Sequence, residues 1–209
     1  MTEKNTEDRF IRVLTDCYLT ISEVLPEDGG IVELDLGCGK GLFTTRLAQL
    51  YPERTVLAAD VMIGRLRKLH KRNEREGVEN LTPLRVEARH LLGYMLPDNS
   101  IDRLHILCPD PWPKDKHRAQ RLLCADFMTH VHRVIKPDGC FHFSSDDVPY
   151  LEIVKRVVAA SGLFEQDNSL ISDISDIKTD FEIRWLEQGK QVHHIAWRKL
   201  PLNFSGDGH

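Results

Sequence analysis

Apolar residues along this chain recur with two different periods, and the two periods alternate. Short apolar runs typical of buried strands are separated by longer segments whose apolar residues return every three or four positions, as on one face of a helix. Strands are predicted at Ile31 to Leu36, Thr55 to Ala59, Leu81 to Val86, Ile101 to Leu107, Cys140 to Ser144, Leu163 to Glu165 and Gln191 to Trp197. Helices are predicted at Leu42 to Leu50, Ile63 to Glu76, Arg121 to Ile135 and Tyr150 to Ser161, with a short turn or helix near His90 to Met95. This order favours an α/β fold with a mostly parallel, seven-stranded sheet and helices on both faces.

The two ends of the chain depart from this alternation. Arg9 to Leu25 carries a broad apolar stripe that predicts an amphipathic lead-in helix, which ends at Pro26 and the polar turn Glu27 to Gly30. The last two strands are separated by a long polar loop rich in Asp and Ser, and a loop of that length is expected to carry function. We therefore expect an N-terminal helix and linker over residues 1–29, one main domain over 30–200 and a polar tail over 201–209.

Composition restricts the class of protein. A chain of 209 residues with 41% hydrophobic residues is long enough for one sizeable core and short for two. No apolar stretch approaches the ~20 residues of a membrane helix, and the polar start does not resemble a signal peptide, so we expect a cytoplasmic protein with no membrane partner. The five cysteines are odd in number and lack a C-x-x-C pair, which favours buried thiols.

The net charge of -4 argues against indiscriminate nucleic-acid binding, but two segments are locally basic. Arg65 to Arg75 contains six cations against Glu74, and Lys114 to Arg121 contains four against Asp115. Such patches either contact a phosphate backbone or form a solvated helix face, and the sequence leaves both interpretations open.

A rigid polar segment directly follows the apolar run Ile101 to Cys108. Pro109-Asp110-Pro111-Trp112-Pro113-Lys114 places a carboxylate, an aromatic plane and a cation where a strand ends, and its prolines keep the backbone extended. Ligands of open α/β sheets bind outside the carboxyl ends of the strands, so the segment is a candidate substrate clamp. The alternative is a rigid turn in which Trp112 simply packs.

A glycine loop follows the first strand of the main domain. Gly37-Cys38-Gly39-Lys40-Gly41 allows a sharp turn and a close approach to a ligand, and the next helix begins at once. The spacing fits neither the dinucleotide motif nor the ATP-binding phosphate loop. Asp60 ends the second strand of that domain, where nucleotide-binding folds place a carboxylate on ribose hydroxyls. The alternative for Asp60 is a helix cap.

The glycine loop, Asp60 and the clamp together resemble a Rossmann-like class I methyltransferase that uses S-adenosylmethionine. That resemblance implies that Asp35 faces the amino-acid end of the cofactor and that Glu87 lies near the adenine. Both residues have a simpler alternative as helix caps or surface acids. It also implies an antiparallel strand at the C-terminal end of the sheet.

The clamp and later segments resemble one family more closely. Asp110-Pro111-Trp112-Pro113-Lys114 with Lys116, His117 and Arg121, then Ser145-Asp146 with Pro149-Tyr150, and Thr179-Asp180-Phe181-Glu182 match in order and spacing the bacterial tRNA (guanine-N7)-methyltransferases. The similarity runs from about Ile31 to Lys199. The resemblance implies methyl transfer from S-adenosylmethionine to N7 of a guanosine in the tRNA variable loop, leaving S-adenosylhomocysteine.

The resemblance also implies a role for individual residues. Asp110 would be the active-site acid; the residues expected at the cofactor are Asp35, Gly37, Gly39, Gly41, Asp60, Glu87 and Asp110. The residues expected at guanosine or tRNA are Lys114, His117, Arg121, Asp146, Thr179, Asp180, Phe181 and Glu182. We expect no metal, since neither His130 with His132 nor His193 with His194 has a metal-ligand spacing on a helix. DNA is not an expected partner, and the oligomeric state, monomer or homodimer, stays open.

Several positions depart from the family pattern. Asp180 replaces a usual Lys, and Asp115, Ala119 and Gln120 stand where Lys or Arg is common, which reduces the expected number of phosphate contacts. Two alternatives therefore remain: a class I methyltransferase acting on a small molecule or protein, and a non-catalytic RNA-binding relative. The retained glycine loop and Asp110 argue against the second.

Overall fold

Eight strands form one sheet in the described part of the chain, which comprises residues 11–13, 22–111 and 122–202 of a computed structural model. The strands are β1 (Arg12–Val13), β2 (Val32–Leu36), β3 (Thr55–Asp60), β4 (Leu81–Arg85), β5 (Ile101–Leu107), β6 (Ile135–Ser145), β7 (Phe164–Gln166) and β8 (His193–Lys199). Their order across the sheet is β1-β4-β3-β2-β5-β6-β8-β7. All neighbouring pairs from β1 to β6 are parallel, and β8 runs antiparallel to both β6 and β7. The predicted sheet, including its antiparallel C-terminal strand, is confirmed.

Helices connect the strands as the apolar periodicity predicted. They are α1 (Leu42–Leu50), α2 (Ile63–Glu76), α3 (Ala88–His90), α4 (Ala125–Val134), α5 (Val148–Ser161) and α6 (Asp180–Glu187), with a π-helical turn at Leu91–Met95 and 3-10 turns at Ser22–Val24 and Asn168–Ile174. The bounds of α1 and α2 match the prediction. The helix predicted from Arg121 to Ile135 is too long at both ends. Residues 122–124 precede α4, which begins at Ala125, and Ile135 already pairs with Ile101 of β5.

The predicted lead-in helix from Arg9 to Leu25 is wrong where the structure describes it. Arg12 and Val13 instead form a parallel edge strand against Leu84 and Arg85 of β4. Ile11 is buried in the core, which explains its place in the apolar stripe. The sequence pattern failed here because a short edge strand is fixed by pairing with a distant strand and not by its local period.

The segment between β7 and β8 is not the loop that its polar composition predicted. Asn168–Ile174 forms a 3-10 helix, and Asp180–Glu187 forms α6. The side chains of Asp167 and Thr179 cap these two helices by accepting hydrogen bonds from backbone N–H groups. Asp, Ser and Thr were therefore interpreted as loop residues when they mark helix starts.

Each face of the sheet carries its own hydrophobic cluster. Val56 and Ala58 of β3 face one cluster, together with α1 and α2, whereas Leu57 and Ala59 face the other, together with α4 and α5. This alternation is the strand period of two, with both faces covered. Among the described residues, no helix has both the length and the apolar character needed to span a membrane.

Candidate active site

Two cavities lie at the carboxyl ends of the central strands. One, of about 160 Å³, is lined by the glycine loop, Asp35, Phe43, Arg65 and the start of α6. The other, of about 290 Å³, is lined by the ends of β2 and β5, by Asp110 and Asp146, and by Phe181 and Trp185 of α6. The cavities share Gly37, Arg65, Leu107 and Phe181 among their lining residues. The structure thus brings the glycine loop, the clamp and α6 to one place, as an open parallel sheet should.

The glycine loop has the backbone that its composition predicted. Gly37, Gly39 and Gly41 have φ values of 86, 59 and 72°, a region that residues with a Cβ rarely adopt. A Cβ at Gly37 or Gly39 would meet no atom within 4 Å, so open space lies beside both residues. A Cβ at Gly41 would overlap the side chain of Leu69 on α2. Gly41 therefore allows helix packing, and the first two glycines leave room for a ligand.

Asp35 is a buried acid at the edge of the smaller cavity. Its side chain is 3% exposed and accepts a hydrogen bond of 2.5 Å from Thr44 Oγ1. Burial raises the pKa of Asp35 to about 6, although the Thr44 hydrogen bond opposes the shift. A cationic group entering the cavity would stabilise the charged form of this carboxylate.

Asp60 and Glu87 both make backbone contacts. Asp60 Oδ2 accepts from Gly39 N–H at 3.1 Å and lies 3.2 Å from an Arg65 nitrogen, while Oδ1 accepts from Met62 N–H. Glu87 caps α3 through His90 N–H and does not line either cavity. The capping alternative is therefore observed for Glu87 but not for Asp60, because α2 begins at Met62 without a side-chain cap. The roles of both residues at ribose and adenine remain predictions.

A residue with an unfavourable backbone conformation, Cys108, connects the end of β5 to the clamp. Cys108 has a φ of 50°, which is uncommon for a residue with a Cβ, and its N–H donates to Ser144 O at 2.9 Å. This turn directs the chain through Pro109 to Asp110, which is exposed and lines the larger cavity. Trp112 and the predicted tRNA contacts Lys114, His117 and Arg121 lie outside the described residues.

Helix α6 closes the far side of both cavities. Thr179 Oγ1 caps the helix by accepting from Glu182 N–H at 3.0 Å, and Phe181 is 43% exposed and lines both cavities. Asp180 lies 3.7 Å from an Arg72 nitrogen of α2, so the acid found in place of the family's Lys pairs with a cation of the same chain. Asp146 lines the larger cavity from the end of β6.

Glu182 is the least exposed of the predicted substrate residues that the structure describes. Its residue exposure is 2%, and Oε1 lies 3.1 Å from both His194 Nε2 and Lys178 Nζ. Burial raises the pKa of Glu182, but those two partners outweigh burial and hold it below its ordinary value. Oε2 is buried and has no hydrogen-bond partner among the residues described. Glu182 lines neither cavity, but its neighbour Phe181 lines both. A buried carboxylate oxygen without a partner is costly, which makes it a candidate ligand acceptor next to the cavities.

Sequence reasoning missed a row of polar side chains beneath these cavities. Glu33, His105, His142 and His194 stand on β2, β5, β6 and β8, and each contacts the next. The signal available in the sequence was a histidine in each of three strands and an acid in a fourth. A single sequence does not indicate that these residues meet, because the strand order is needed to place them side by side.

Known proteins match this chain over most of its length, including the residues of the site. The family model described as "Putative methyltransferase" matches residues 30–195. The tRNA (guanine-N(7)-)-methyltransferase of Syntrophotalea carbinolica is 34% identical over 173 residues, which cover 80% of this chain and 74% of that protein. The chain belongs to the tRNA (guanine-N7)-methyltransferase family.

Other members of the tRNA (guanine-N7)-methyltransferase family match at similar levels. The protein of that name from Polaromonas naphthalenivorans is 30% identical, covering 91% of this chain and 80% of its own length. The one from Thermotoga maritima is 31% identical over 86% of this chain, but the chain spans only 57% of that relative's length. The family resemblance inferred from the sequence motifs is confirmed.

Solved structures establish the class I methyltransferase fold for this family member. The 16S rRNA methyltransferase KamB superposes with a TM-score of 0.61 at 17% identity, covering 86% of this chain and 90% of KamB. TrmN from Thermus thermophilus gives 0.60 at 19% identity, covering 82% of this chain and 44% of TrmN. At these identities the likeness concerns the fold alone.

Proposed function

We propose that this protein is an S-adenosylmethionine-dependent tRNA (guanine-N7)-methyltransferase, with the methyltransferase domain over residues 30–200. The observation that carries the proposal is the larger cavity, in which the glycine loop, Asp110 and Phe181 meet at the carboxyl edge of the sheet. The proteins of this name that match over most of the chain support the same activity.

The glycine loop and Asp35 fit the proposed cofactor. The open space beside Gly37 and Gly39 admits a ligand against the backbone, and the buried carboxylate of Asp35 suits the positive charge of the cofactor's amino-acid end. The bound cofactor supplies a methyl group on a cationic sulfonium. We assign its binding to Asp35, Gly37, Gly39 and Gly41, with Asp60 and Glu87 assigned to ribose and adenine through the family resemblance.

Helix α6 fits a guanine base. The Watson–Crick edge of guanine carries N–H donors, and Glu182 Oε2 is an acceptor with no partner in the described ranges. The exposed ring of Phe181 offers an aromatic surface on which a splayed base can stack. Thr179 and Asp146 complete the proposed guanosine site, and the tRNA contacts assigned by resemblance are Lys114, His117, Asp180 and Arg121.

The chemistry needs orientation more than proton transfer. N7 of guanine has a lone pair and no proton, so no residue has to act as a general base before the methyl group moves. The purine gains positive charge as the methyl transfers, and a carboxylate placed at Asp110 stabilises that charge. Asp110 therefore acts through its charge and position.

The decisive variant is Asp110→Ala. We expect methyl transfer to unmodified tRNA to fall by orders of magnitude while S-adenosylmethionine affinity stays within a few-fold, because the lost carboxylate acts on the developing purine charge. Transfer is measured with labelled cofactor, and affinity by calorimetry. The matched control is Glu79→Ala, an exposed acid just before β4 at the opposite edge of the sheet, which should leave both values unchanged.

The product identifies the substrate. Nuclease digestion and mass spectrometry of the treated tRNA should reveal 7-methylguanosine, and mapping should place it in the variable loop. Labelling of a protein or small molecule in the same extract, with none in tRNA, would favour the first alternative activity. Absence of any transfer despite cofactor binding would favour a non-catalytic relative.

A further inference from the structure

A continuous row of hydrogen-bonded side chains crosses the sheet beneath the proposed guanosine site. Glu33 Oε2 lies 2.8 Å from His105 Nε2, and His105 Nδ1 lies 2.9 Å from His142 Nδ1. His142 Nε2 then lies 3.0 Å from His194 Nδ1, and His194 Nε2 lies 3.1 Å from Glu182 Oε1. We call these five residues the histidine chain. Both nitrogens of every ring in it are engaged.

The register of the sheet fixes this row. His105 pairs directly with His142 across β5 and β6, and His194 stands opposite Ser144, diagonal to His142, across β6 and β8. Phe43 packs edge-on against His105 with ring centroids 5.0 Å apart. Backbone pairing and an aromatic neighbour therefore hold the histidine chain in place, and its contacts do not depend on exposed side chains.

Proton counting constrains the charge of the histidine chain. Four contacts in series, each at hydrogen-bond distance, need four protons between their atoms. Three neutral imidazoles supply only three N–H groups, and an ionised carboxylate at each end supplies none. With neutral rings throughout, one contact would place two lone pairs against each other. One additional proton must therefore reside in the chain.

We propose that this additional proton resides on His194, so that His194 is an imidazolium that holds Glu182 as a charged carboxylate with Oε2 turned to the guanine edge. His142 then donates from Nδ1 to His105 and accepts at Nε2 from His194. His105 donates from Nε2 to Glu33. His194 is thus a positioning residue that acts through Glu182, and this role rests on the proposed function.

The surroundings of the two ends favour the charge at His194. The His105 side chain is 0% exposed and its partner Glu33 is already paired with Arg54 and Arg103, whose charges oppose a further cation. Asp35 also interacts with His105, and Arg103 is shared with Asp173, so the neighbouring charges do not by themselves exclude a cation at His105. Its complete burial does, because a charged ring there would lose all contact with water.

At the other end the His194 side chain is 23% exposed, and Lys178 is the one competitor for Glu182 among the residues that the structure describes. Burial is the main cause that holds the pKa of His142 well below its ordinary value, and the charges of His194 and Arg103 add to it, so the middle ring stays neutral. A charge is less costly where water still reaches it, which again selects His194.

The placement gives Glu182 two unequal oxygens. Oε1 is occupied by His194 and Lys178, and Oε2 has no partner in the residues that the structure describes. A charge-assisted hydrogen bond from an imidazolium fixes the carboxylate rotation more strongly than a neutral donor would. The base can then bind to a carboxylate that is already oriented, without the entropic cost of ordering it.

Ring ¹⁵N spectra of the full chain without tRNA test the proposal directly. We expect His194 to show two protonated ring nitrogens near pH 7, His142 to show one at Nδ1, and His105 to show one at Nε2. Glu182→Gln should convert His194 to a neutral ring, because the amide can donate to Nε2 and the additional proton is no longer needed. His132 does not belong to the histidine chain and contacts the Leu200 carbonyl. It is the internal control, and its ring ¹⁵N signals should not change.

Other spectra would overturn the assignment. Three neutral rings would place the proton on one of the terminal carboxylates, Glu182 or Glu33, and a doubly protonated His105 would place it next to Glu33. Neither result depends on tRNA methylation. Failure of the proposed function with the expected ring pattern would leave the charge assignment standing and remove only its role in guanosine binding.

Kinetics separate a positioning role from a structural one. His194→Leu should raise the KM for tRNA by roughly tenfold or more with a smaller effect on kcat, because the charge-assisted contact is worth about that factor. His194→Gln, which keeps a donor, should recover most of the loss. A His194→Gln variant as impaired as His194→Leu would contradict the proposal.

Discussion

Gly41 is fixed by contact with a neighbouring helix as well as by its backbone. Its φ is 72°, and a Cβ would overlap Leu69, which is completely buried. Gly41→Ala should lower the free energy of unfolding by about 2–4 kcal/mol, combining left-handed strain with overpacking. Chemical denaturation measures this loss.

Gly77→Ala is the matched control for that loss. Gly77 has a φ of 65° and ends α2, but a Cβ there would meet nothing within 4 Å. Gly77→Ala should therefore lower the free energy of unfolding by only about 1–2 kcal/mol, from backbone strain alone. Equal losses in the two variants would contradict the role of Leu69.

Asp35 should make cofactor binding depend on pH. Its pKa in the folded protein is raised to about 6, so the charged form is present above that pH and is lost as the pH falls through it. We expect S-adenosylmethionine affinity, measured by calorimetry from pH 5 to 8, to fall below pH 6. Asp35→Asn should bind at least about tenfold more weakly at pH 8, since a charged hydrogen bond is lost, and should show a flatter profile. A wild-type affinity that is constant across this range would contradict the assignment.

The raised pKa of Asp35 also affects folding stability. Its contribution to stability falls as the pH rises, whereas its contribution to cofactor binding increases. The folded protein binds a proton at Asp35 more readily than the unfolded chain, so this group favours folding below about pH 4 and the contribution is lost as the pH rises toward 6. An acid held against its own desolvation in this way is typical of binding sites.

At the level of single residues, the sequence was most informative where chemistry is local. The glycine loop was predicted with its ligand-facing space, and Asp110 was predicted at a strand exit. Cys108 was not recognised, because nothing in its identity indicates a left-handed backbone. The contact between Asp60 and Gly39 was not foreseen, because it depends on how the glycine loop folds back.

Helix α6 forms part of the wall of both cavities. It begins at a Thr179 cap and is joined to α2 through Asp180 and Arg72, which are partly buried. Asp180→Lys, which introduces the residue usual in the family, should lower the free energy of unfolding by about 1 kcal/mol, because it places like charges together. Thermal or chemical denaturation checks this.

A charge-swapped pair tests the interpretation of Asp180. Arg72→Asp combined with Asp180→Lys should recover most of the lost stability and tRNA methylation, since the ion pair is restored in reverse. A double variant as impaired as the sum of the single variants would show that the two residues do not interact.

Helices and strands could be predicted where the segment is long and its apolar residues recur with a clear period. The α1 and α2 bounds follow from the apolar stripe, whereas α6 was missed because its short, polar-flanked sequence resembles a loop. The strand Arg12–Val13 was missed for a related reason. Two residues carry no period, and only pairing with β4 defines them.

The location of positive charge on the whole molecule predicts how salt affects tRNA binding. Arg65 and Arg72 of α2 are paired with Asp60 and Asp180, and Arg75 lies about 15 Å farther along the helix than Arg65, toward the amino edge of the sheet. The basic character of α2 should therefore contribute little to the tRNA surface, and the segment after the clamp should contribute more.

Fluorescence anisotropy of labelled tRNA at several salt concentrations tests this distribution. Arg121→Gln should reduce the slope of log affinity against log salt by about 1, as expected for one phosphate contact. Arg75→Gln should leave the slope unchanged. A reduced slope for Arg75→Gln and an unchanged one for Arg121→Gln would place the tRNA on the other surface.

The sequence by itself determined the alternation of strands and helices, the glycine loop, the clamp and the family. These features depend on periodicity and on residues close together in the chain, which local physical chemistry specifies. Only the tertiary structure decided which side chains meet: Asp180 with Arg72, Asp60 with the glycine loop, and the three histidines between Glu33 and Glu182. Strand order and register bring these residues together from distant positions, and that order is a property of the whole sheet.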